Sequence, residues 1–205
     1  TLRNLVGKHY GDNVKQEFIK GYVKVDDDYR VDWDEVGIDG HKCVVKNGIL
    51  NLVTGEIEGD VGPDDYAVMK FPVKWEGMDA EATRFRDEFL ARSVVVDDRK
   101  KLQEFAGYCL HTNEYPYKKA LMMLGDGNNG KGVYEQILVA MLGSDNTMHD
   151  DLKDLSDNQF GAQRLRENAA NINSDIDGNR IKNTSMFKKL TGRDPIRVEP
   201  KFETA

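Results

Sequence analysis

Apolar residues recur at a helical period in three stretches of the chain. In residues 82–94 and 98–111 they follow one another at intervals of three and four, so one face of each segment is apolar. Residues 133–142 have the same period. Their apolar stripe contains Val133, Ile137, Leu138, Met141 and Leu142. The pattern therefore predicts three amphipathic helices.

An earlier part of the chain has the short apolar runs and turn residues of β structure. Residues 43–46 and 49–53 flank Asn47-Gly48, a pair that supplies the positive φ angles of a tight hairpin turn. Residues 66–73 predict a further strand. Residues 1–40 are poorly periodic and rich in Gly and Asp, and the only element predicted there is a short helix over residues 14–19.

A glycine-rich loop lies between the second and third predicted helices. Residues 125–131 read Gly-Asp-Gly-Asn-Asn-Gly-Lys and follow the apolar run 120–124, which predicts a strand. A strand, a glycine loop and a helix in this order are the usual context of a phosphate-binding loop. Glycines let successive N–H groups point toward an anion, and the helix start adds free N–H groups and the positive end of its dipole. Lys131 places a cation beside the outer phosphates.

The sequence therefore predicts a nucleotide site for ATP with Mg2+, in which Lys131 is also catalytic. The predicted nucleotide-binding residues are Gly125, Asp126, Gly127, Asn128, Asn129, Gly130, Lys131, Gly132 and Val133. The alternative is an ordinary glycine-rich turn. Gly132 stands where the motif has a Ser or Thr whose hydroxyl binds magnesium. Phosphate binding does not need that hydroxyl, whereas metal placement needs a substitute, such as a water.

Residues 169–175 predict a strand that ends in a carboxylate, Asp175. A P-loop ATPase needs an acid at such a strand end, to hold magnesium through water or to orient the attacking water. Asp175 is therefore a candidate catalytic and metal-binding residue, and Asp177 competes for the same role. The alternative is a surface strand that ends in a solvated Asp.

The last part of the chain is locally basic. Residues 180–201 contain seven Lys or Arg and two acidic residues, whereas the whole chain has a formal charge of −7. A basic segment that projects from an ATPase core suits the backbone phosphates of nucleic acid. The alternative is a solvated basic face. The overall negative charge argues against indiscriminate nucleic-acid binding by the whole surface.

Composition narrows the class of protein further. A chain of 205 residues forms one large domain or two small ones. The two cysteines, Cys43 and Cys109, lie far apart, which argues against a disulfide framework or a zinc cluster and favours a reducing, cytoplasmic location. No apolar run approaches the roughly 18 residues of a membrane span. The chain starts at Thr1 and stops without a helix end or turn, so we expect a fragment of a longer polypeptide.

Four segments together resemble the primase–helicases of phages, plasmids and viruses, whose motor is a superfamily 3 helicase of the AAA+ type. They are residues 102–110 (LQEFAGYCL), 117–122 (YKKALM), 125–131 (GDGNNGK) and 187–196 (FKKLTGRDPI). Residues 46–56 (KNGILNLVTGE) also match the hairpin that precedes the motor in that family. The resemblance extends from about residue 43 to residue 201, and the order and spacing of the motifs make it specific.

The resemblance implies roles for individual residues. Gly125, Gly130 and Lys131 match the nest and lysine of the phosphate-binding motif, and Asp175 matches the acidic strand end. Residues 187–201 match a family motif that forms a β-hairpin facing DNA in the central channel of a hexamer. The implied DNA-binding residues are Lys188, Lys189, Arg193 and Lys201. Residues 82–111 match the helical domain before the motor.

Three departures from the family pattern modify this expectation. Gly132 replaces the magnesium-binding hydroxyl, and Ser174 stands where many AAA+ proteins have a first acid beside the second. The chain also stops before the region that holds the family's sensor asparagine and arginine finger. Since an arginine finger contributes roughly three to five orders of magnitude in rate, we expect this fragment to bind nucleotide and to hydrolyse it very slowly.

The leading hypothesis is an ATP-dependent DNA helicase motor of a viral or mobile-element replication protein, a homo-hexamer at full length. It would contact DNA phosphates without reading sequence, in the host cytoplasm. The alternative is a non-hydrolysing nucleotide-binding scaffold or sensor. A small-molecule kinase would not need the basic segment. The expected fold is α/β, with a P-loop AAA+-type core cut short at its C-terminal side. The predicted divisions are a β-rich region (1–75), a helical domain (76–118) and an incomplete P-loop core (119–205).

Overall fold

The computed structural model describes residues 39–62, 67–112, 117–151, 155, 164–165, 168–174 and 185–192. Its first elements are the strands β1 (Lys42–Val45) and β2 (Gly48–Asn51). Helix α1 consists of a π-helical stretch, Arg84–Leu90, and one α-helical turn, Ala91–Ser93. The remaining elements are α2 (Val96–Tyr108), α3 (Lys131–Leu142), β3 (Thr147–Met148), β4 (Ala170–Asn171) and α4 (Ser185–Gly192). No helix in this described part of the chain is long and apolar enough to span a membrane.

The β1–β2 hairpin is confirmed, but its turn lies one residue earlier than predicted. The register pairs Val45 with Gly48, so Lys46 and Asn47 form the turn. Asn47 does not adopt a positive φ. Its side chain instead bonds to the backbone of Trp75, accepting from the N–H at 2.8 Å and donating to the carbonyl at 2.9 Å. The turn is displaced because Asn47 is held by this distant contact.

The predicted strand 66–73 is only partly confirmed. Tyr66 lies outside the described residues, and residues 67–73 form a single bridge, between Lys70 and Val44, rather than a continuous strand. The N–H of Phe71 donates to the carbonyl of Val44 at 2.8 Å, which holds this segment beside β1. Phe71 is fully buried, so its side chain anchors the segment in the core.

One hydrophobic core joins segments that lie far apart in the described chain. Its buried members are Cys43, Val45, Leu50, Met69, Phe71, Cys109, Leu142 and Ala169. They come from the hairpin, the end of α2, the end of α3 and the residue before β4. The division at residues 75 and 118 stays a prediction, and this core crosses both of those boundaries.

A second core packs the three predicted helices together, and their existence is confirmed. Its buried members are Leu90 of α1, Leu102 of α2, and Tyr134 and Leu138 of α3. The apolar stripe predicted for α3 was partly wrong. Val133 is 48% exposed, whereas Tyr134 is buried. Tyr134 replaces Val133 on the buried face because its hydroxyl donates to the carbonyl of Leu102 at 2.7 Å, which satisfies the phenol inside the core.

The apolar run 120–124 is not a strand, which corrects the prediction. Residues 118–126 form neither helix nor strand, because no described residue pairs with them through backbone hydrogen bonds. The side chains nevertheless alternate. Leu121 and Met123 pack against the second core, whereas Met122 and Leu124 are exposed. This alternation is typical of an extended chain.

The predicted strand 169–175 is present over two residues, as β4. It pairs in parallel with β3, which the sequence did not predict because β3 is so short. Asn171 fixes the register, since its side-chain amide exchanges two hydrogen bonds of 3.0 Å with the backbone of Asp150. The described residues thus contain helices and two small sheets, and the complete α/β P-loop core stays a prediction.

The two buried thiols predict an alkaline loss of stability. Burial raises the pKa of Cys43 and of Cys109 from 9.0 to about 12. The folded state therefore favours the neutral thiol. This stabilisation is complete below about pH 9 and is lost as the pH rises toward 12, by up to about 1.4 kcal/mol per pH unit for each thiol.

Urea unfolding measured at several values between about pH 8 and pH 11 tests this expectation. The free energy of unfolding of the wild type should fall more steeply with pH than that of Cys43→Ala/Cys109→Ala. The variant is less stable at neutral pH because it loses buried volume, but that loss does not depend on pH. Equal slopes for the two proteins would show that the thiols do not contribute.

Candidate phosphate-binding site

The glycine loop has a strongly constrained backbone. Gly125, Asn128 and Gly130 have φ angles of 152°, 58° and 90°, in the region that favours glycine or asparagine. Helix α3 begins directly after Gly130, at Lys131. The loop therefore turns sharply and delivers the lysine onto the first turn of the helix.

The side chain of Lys131 folds back into the loop. Its Nζ donates to the carbonyl oxygens of Gly125 at 2.7 Å and Asp126 at 2.9 Å, and to Oδ1 of Asn129 at 3.0 Å. An ammonium has three donors, and all three are used. The loop therefore holds a fixed positive charge. A ligand oxygen would most readily take the place of Asn129, because a side chain moves more easily than the backbone.

Two glycines of the loop are required by close packing. A Cβ at Gly125 would collide with the side-chain amide of Asn129, the group that closes the loop. A Cβ at Gly130 would lie 3.1 Å from Oγ of Ser93 and 3.2 Å from the ring of Phe89. The loop is thus seated against the end of α1, and its framing glycines serve the fold.

Gly127 and Gly132 have no such structural reason. Neither adopts a positive φ, and a Cβ at either position would meet no atom within 4 Å. The fold would accept a larger residue at both sites. Open space above these two backbones is what a bound group such as a phosphate requires, because it can then approach the N–H groups closely.

The N-terminus of α3 has free donors that face this loop. Gly130 is the N-cap and supplies no side-chain acceptor. Within the described residues, the N–H groups of Lys131, Gly132 and Val133 have no hydrogen-bond acceptor, and the first helical bond runs from Tyr134 to Gly130. Unpaired N–H groups and the helix dipole make this end attractive to an anion.

The end of strand β4 lies against the same helix. Ile172 packs in the second core with Tyr134, and Oγ of Ser174 donates to a carboxylate oxygen of Glu135 at 2.8 Å. The predicted acid Asp175 and its competitor Asp177 lie outside the described residues. Sequence reasoning missed Glu135. Its position four residues after Lys131, on the same helical face, was the available signal.

The basic segment begins with a helix. Lys188 and Lys189 lie exposed on α4, whereas Phe187 and Leu190 are half-buried. Residues 187–192 are therefore helical, which contradicts the β-hairpin implied by the resemblance for this part. The hydroxyl of Thr191 donates to the carbonyl of Phe187 at 2.9 Å, a bond that a Thr side chain makes within a helix. Arg193 and Lys201 lie outside the described residues.

Residues 123–205 match a protein family of unknown function, DUF5906. The matched range starts in the apolar run before the loop and includes α3, both strands of the parallel pair and α4. No curated protein matches the chain. The family match therefore covers the candidate site but assigns no chemistry to it.

Proposed function

We propose that the loop 125–131 and the N-terminus of α3 bind the phosphates of ATP, and that the chain belongs to an ATP-dependent DNA helicase motor. The observation that carries the proposal is the ammonium of Lys131, held by the loop in front of an uncapped helix start. Positive charge and free N–H donors lie together where the backbone is open at Gly127 and Gly132. This combination suits a chain of phosphates.

In the bound state, phosphate oxygens accept from the N–H groups of residues 131–133 and from Lys131. The lysine exchanges its bond to Asn129 for a phosphate oxygen and keeps its two backbone carbonyls. Because these donors are already fixed, little reorganisation is needed when charge develops during phosphoryl transfer. Asp175, which directly follows Ser174 in sequence, would hold the magnesium through water or orient the attacking water.

The DNA part of the proposal rests on the basic segment and on the resemblance to superfamily 3 primase–helicases. Lys188 and Lys189 are exposed on one helix and offer two cations to backbone phosphates. Arg193 and Lys201 extend this set in sequence. Such contacts bind DNA without reading its bases. The full-length protein, encoded by a virus or mobile element, would form a homo-hexamer in the host cytoplasm. This hexamer would move DNA as ATP is hydrolysed between its subunits.

A non-hydrolysing nucleotide-binding module is the second candidate. The observation that favours it is Gly132, which leaves the site without the hydroxyl that usually binds magnesium. Such a module would bind ATP equally well with and without magnesium. A motor would bind MgATP more tightly than metal-free ATP, and single-stranded DNA would stimulate its hydrolysis.

Substitution of Lys131 tests the nucleotide site. We expect Lys131→Ala to weaken MgATP binding by about 10-fold to 100-fold, because a charge-assisted hydrogen bond is lost. Isothermal titration calorimetry measures the affinity, and circular dichroism confirms that both proteins are folded. Lys119→Ala is the matched control, since Lys119 is exposed and lies before the loop. Equal MgATP affinities for the wild type and Lys131→Ala would overturn the proposal.

Substitution of Gly127 distinguishes an effect on ATP binding from an effect on the stability of the fold. Gly127→Ala should change the free energy of unfolding by no more than about 0.5 kcal/mol, because the added methyl meets nothing. It should nevertheless weaken ATP binding, since the methyl occupies space above the loop. Thermal unfolding and calorimetry on the same samples provide the two readouts.

Gly107→Ala is the control for this substitution, because Gly107 also has open space and lies on α2 away from the loop. It should raise stability by about 0.5–1 kcal/mol and leave ATP affinity unchanged. If Gly127→Ala binds ATP as the wild type does, phosphates do not lie above this part of the loop.

The exposed lysines of α4 test the DNA contact. Lys188→Ala/Lys189→Ala should lower the affinity for a fluorescent oligo-dT and reduce the salt slope of log K by about 1.4, which is about 0.7 for each lysine. Fluorescence anisotropy at several salt concentrations measures both. The control is Lys100→Ala/Lys101→Ala on α2, whose lysines are also exposed. An equal effect of the two variants would show that α4 is not the DNA-binding surface.

A further inference from the structure

We propose that Glu135 replaces the missing hydroxyl of Gly132 as the protein group that anchors magnesium in the MgATP complex, with Ser174 as its positioning residue. The inference rests on the proposed nucleotide site. It adds a metal-anchoring residue that the loop motif does not contain and a structural reason why a glycine at position 132 is tolerated.

The first observation is the open space at Gly132. This residue is the second of α3, has an ordinary helical φ, and a Cβ there would meet no atom within 4 Å. A hydroxyl side chain would therefore fit, and its absence leaves open space at the first turn of α3. A longer side chain from the next turn can reach into that gap.

The second observation is the place of Glu135 on α3. It lies three residues after Gly132 and four after Lys131, so all three are on the same helical face, and the Cβ atoms of a pair such as Lys131 and Glu135 lie about 5–6 Å apart. Side chains on a helix lean toward its N-terminus. Glu135 therefore lies one helical turn after the open space at Gly132, and its carboxylate is held by Ser174.

The third observation is the bond that orients this carboxylate. Oγ of Ser174, at the end of β4, donates to Oε2 of Glu135 at 2.8 Å. No lysine or arginine in the described part of the chain forms an ion pair with Glu135, and Lys131 is held by the loop oxygens. A half-buried, oriented carboxylate without a basic partner is suited to a cation.

The chemistry fits magnesium. Mg2+ prefers oxygen ligands, keeps several waters, and is commonly held by one or two carboxylates together with substrate phosphates. Glu135 would supply one carboxylate beside the phosphate loop, directly or through a water. Ser174 occupies the position at which many AAA+ proteins have an acid. Here it orients an acid from the helix.

The test measures how much magnesium tightens ATP binding. Calorimetric titration of ATP in MgCl2 and in EDTA gives that ratio for the wild type, Glu135→Gln and Ser174→Ala. We expect Glu135→Gln to reduce the ratio by about tenfold, and Ser174→Ala to reduce it less, since outer-shell partners also tune metal affinity. Glu104→Gln on α2 is the control and should keep the wild-type ratio.

A rescue variant makes the test specific. Gly132→Ser restores the motif hydroxyl in the space that the structure leaves open, so Gly132→Ser/Glu135→Gln should recover the magnesium ratio. Electron paramagnetic resonance of Mn2+ in the ATP complex should show tight Mn2+ in the wild type and the rescued protein and weaker Mn2+ in Glu135→Gln.

Several outcomes would overturn the inference. If magnesium tightens ATP binding by Glu135→Gln as much as it does for the wild type, the carboxylate has no role in binding the metal. If Glu135→Gln abolishes the tightening of ATP binding by magnesium and the added Gly132→Ser does not restore it, Glu135 does not replace the hydroxyl. An equal loss of affinity in MgCl2 and EDTA would assign Glu135 a purely structural role. If the wild type binds ATP with no magnesium effect, this inference fails alone. If it binds no ATP, the proposed function fails with it.

Discussion

The burial of one face of α3 is the constraint on which the candidate site depends. Tyr134 and Leu138 lie in the second core, and Leu142 lies in the first. The hydroxyl of Tyr134 donates to the carbonyl of Leu102, which couples α3 to α2. Truncation of such a buried aromatic residue typically costs about 3–5 kcal/mol. Since both cores hold the helix, the direction of its N-terminus is fixed before any ligand binds.

A fixed helix start determines what the loop can do. Gly130 lies so close to Ser93 and Phe89 that a Cβ there would approach both, which seats the loop against the end of α1. The ammonium of Lys131 then lies within hydrogen-bond distance of the backbone carbonyls of the loop and donates to two of them. Packing therefore fixes the position of the positive charge, and the free-energy cost of ordering the lysine side chain is incurred during folding and not on ligand binding. A preorganised cation of this kind is more effective toward a developing negative charge than one that must reorient.

Sequence periodicity was sufficient for α1, α2 and α3, because each has an apolar face that recurs at intervals of three and four. It was insufficient where a side chain makes a distant contact. Asn47 displaced the hairpin turn by bonding to Trp75, and Tyr134 entered the core because its hydroxyl reaches Leu102. The conformation of residues 120–124 depended on a pairing partner, which local sequence does not reveal. Glu135 and Ser174 lie 39 residues apart, so their contact was also invisible.

The first two turns of α3 place two charges of opposite sign beside the glycine loop. Lys131 contributes a cation at the loop, and Glu135 contributes an anion one turn later on the same face. If the proposed nucleotide site is correct, the cation would face the phosphates and the anion would face the magnesium that accompanies them. Since Mg2+ holds its oxygen ligands at about 2.0–2.1 Å, a short hydroxyl side chain must start nearer the metal than the longer side chain of Glu135. Glycine at that position leaves open space beside the first turn of α3, and the proposed metal role of Glu135 depends on that space.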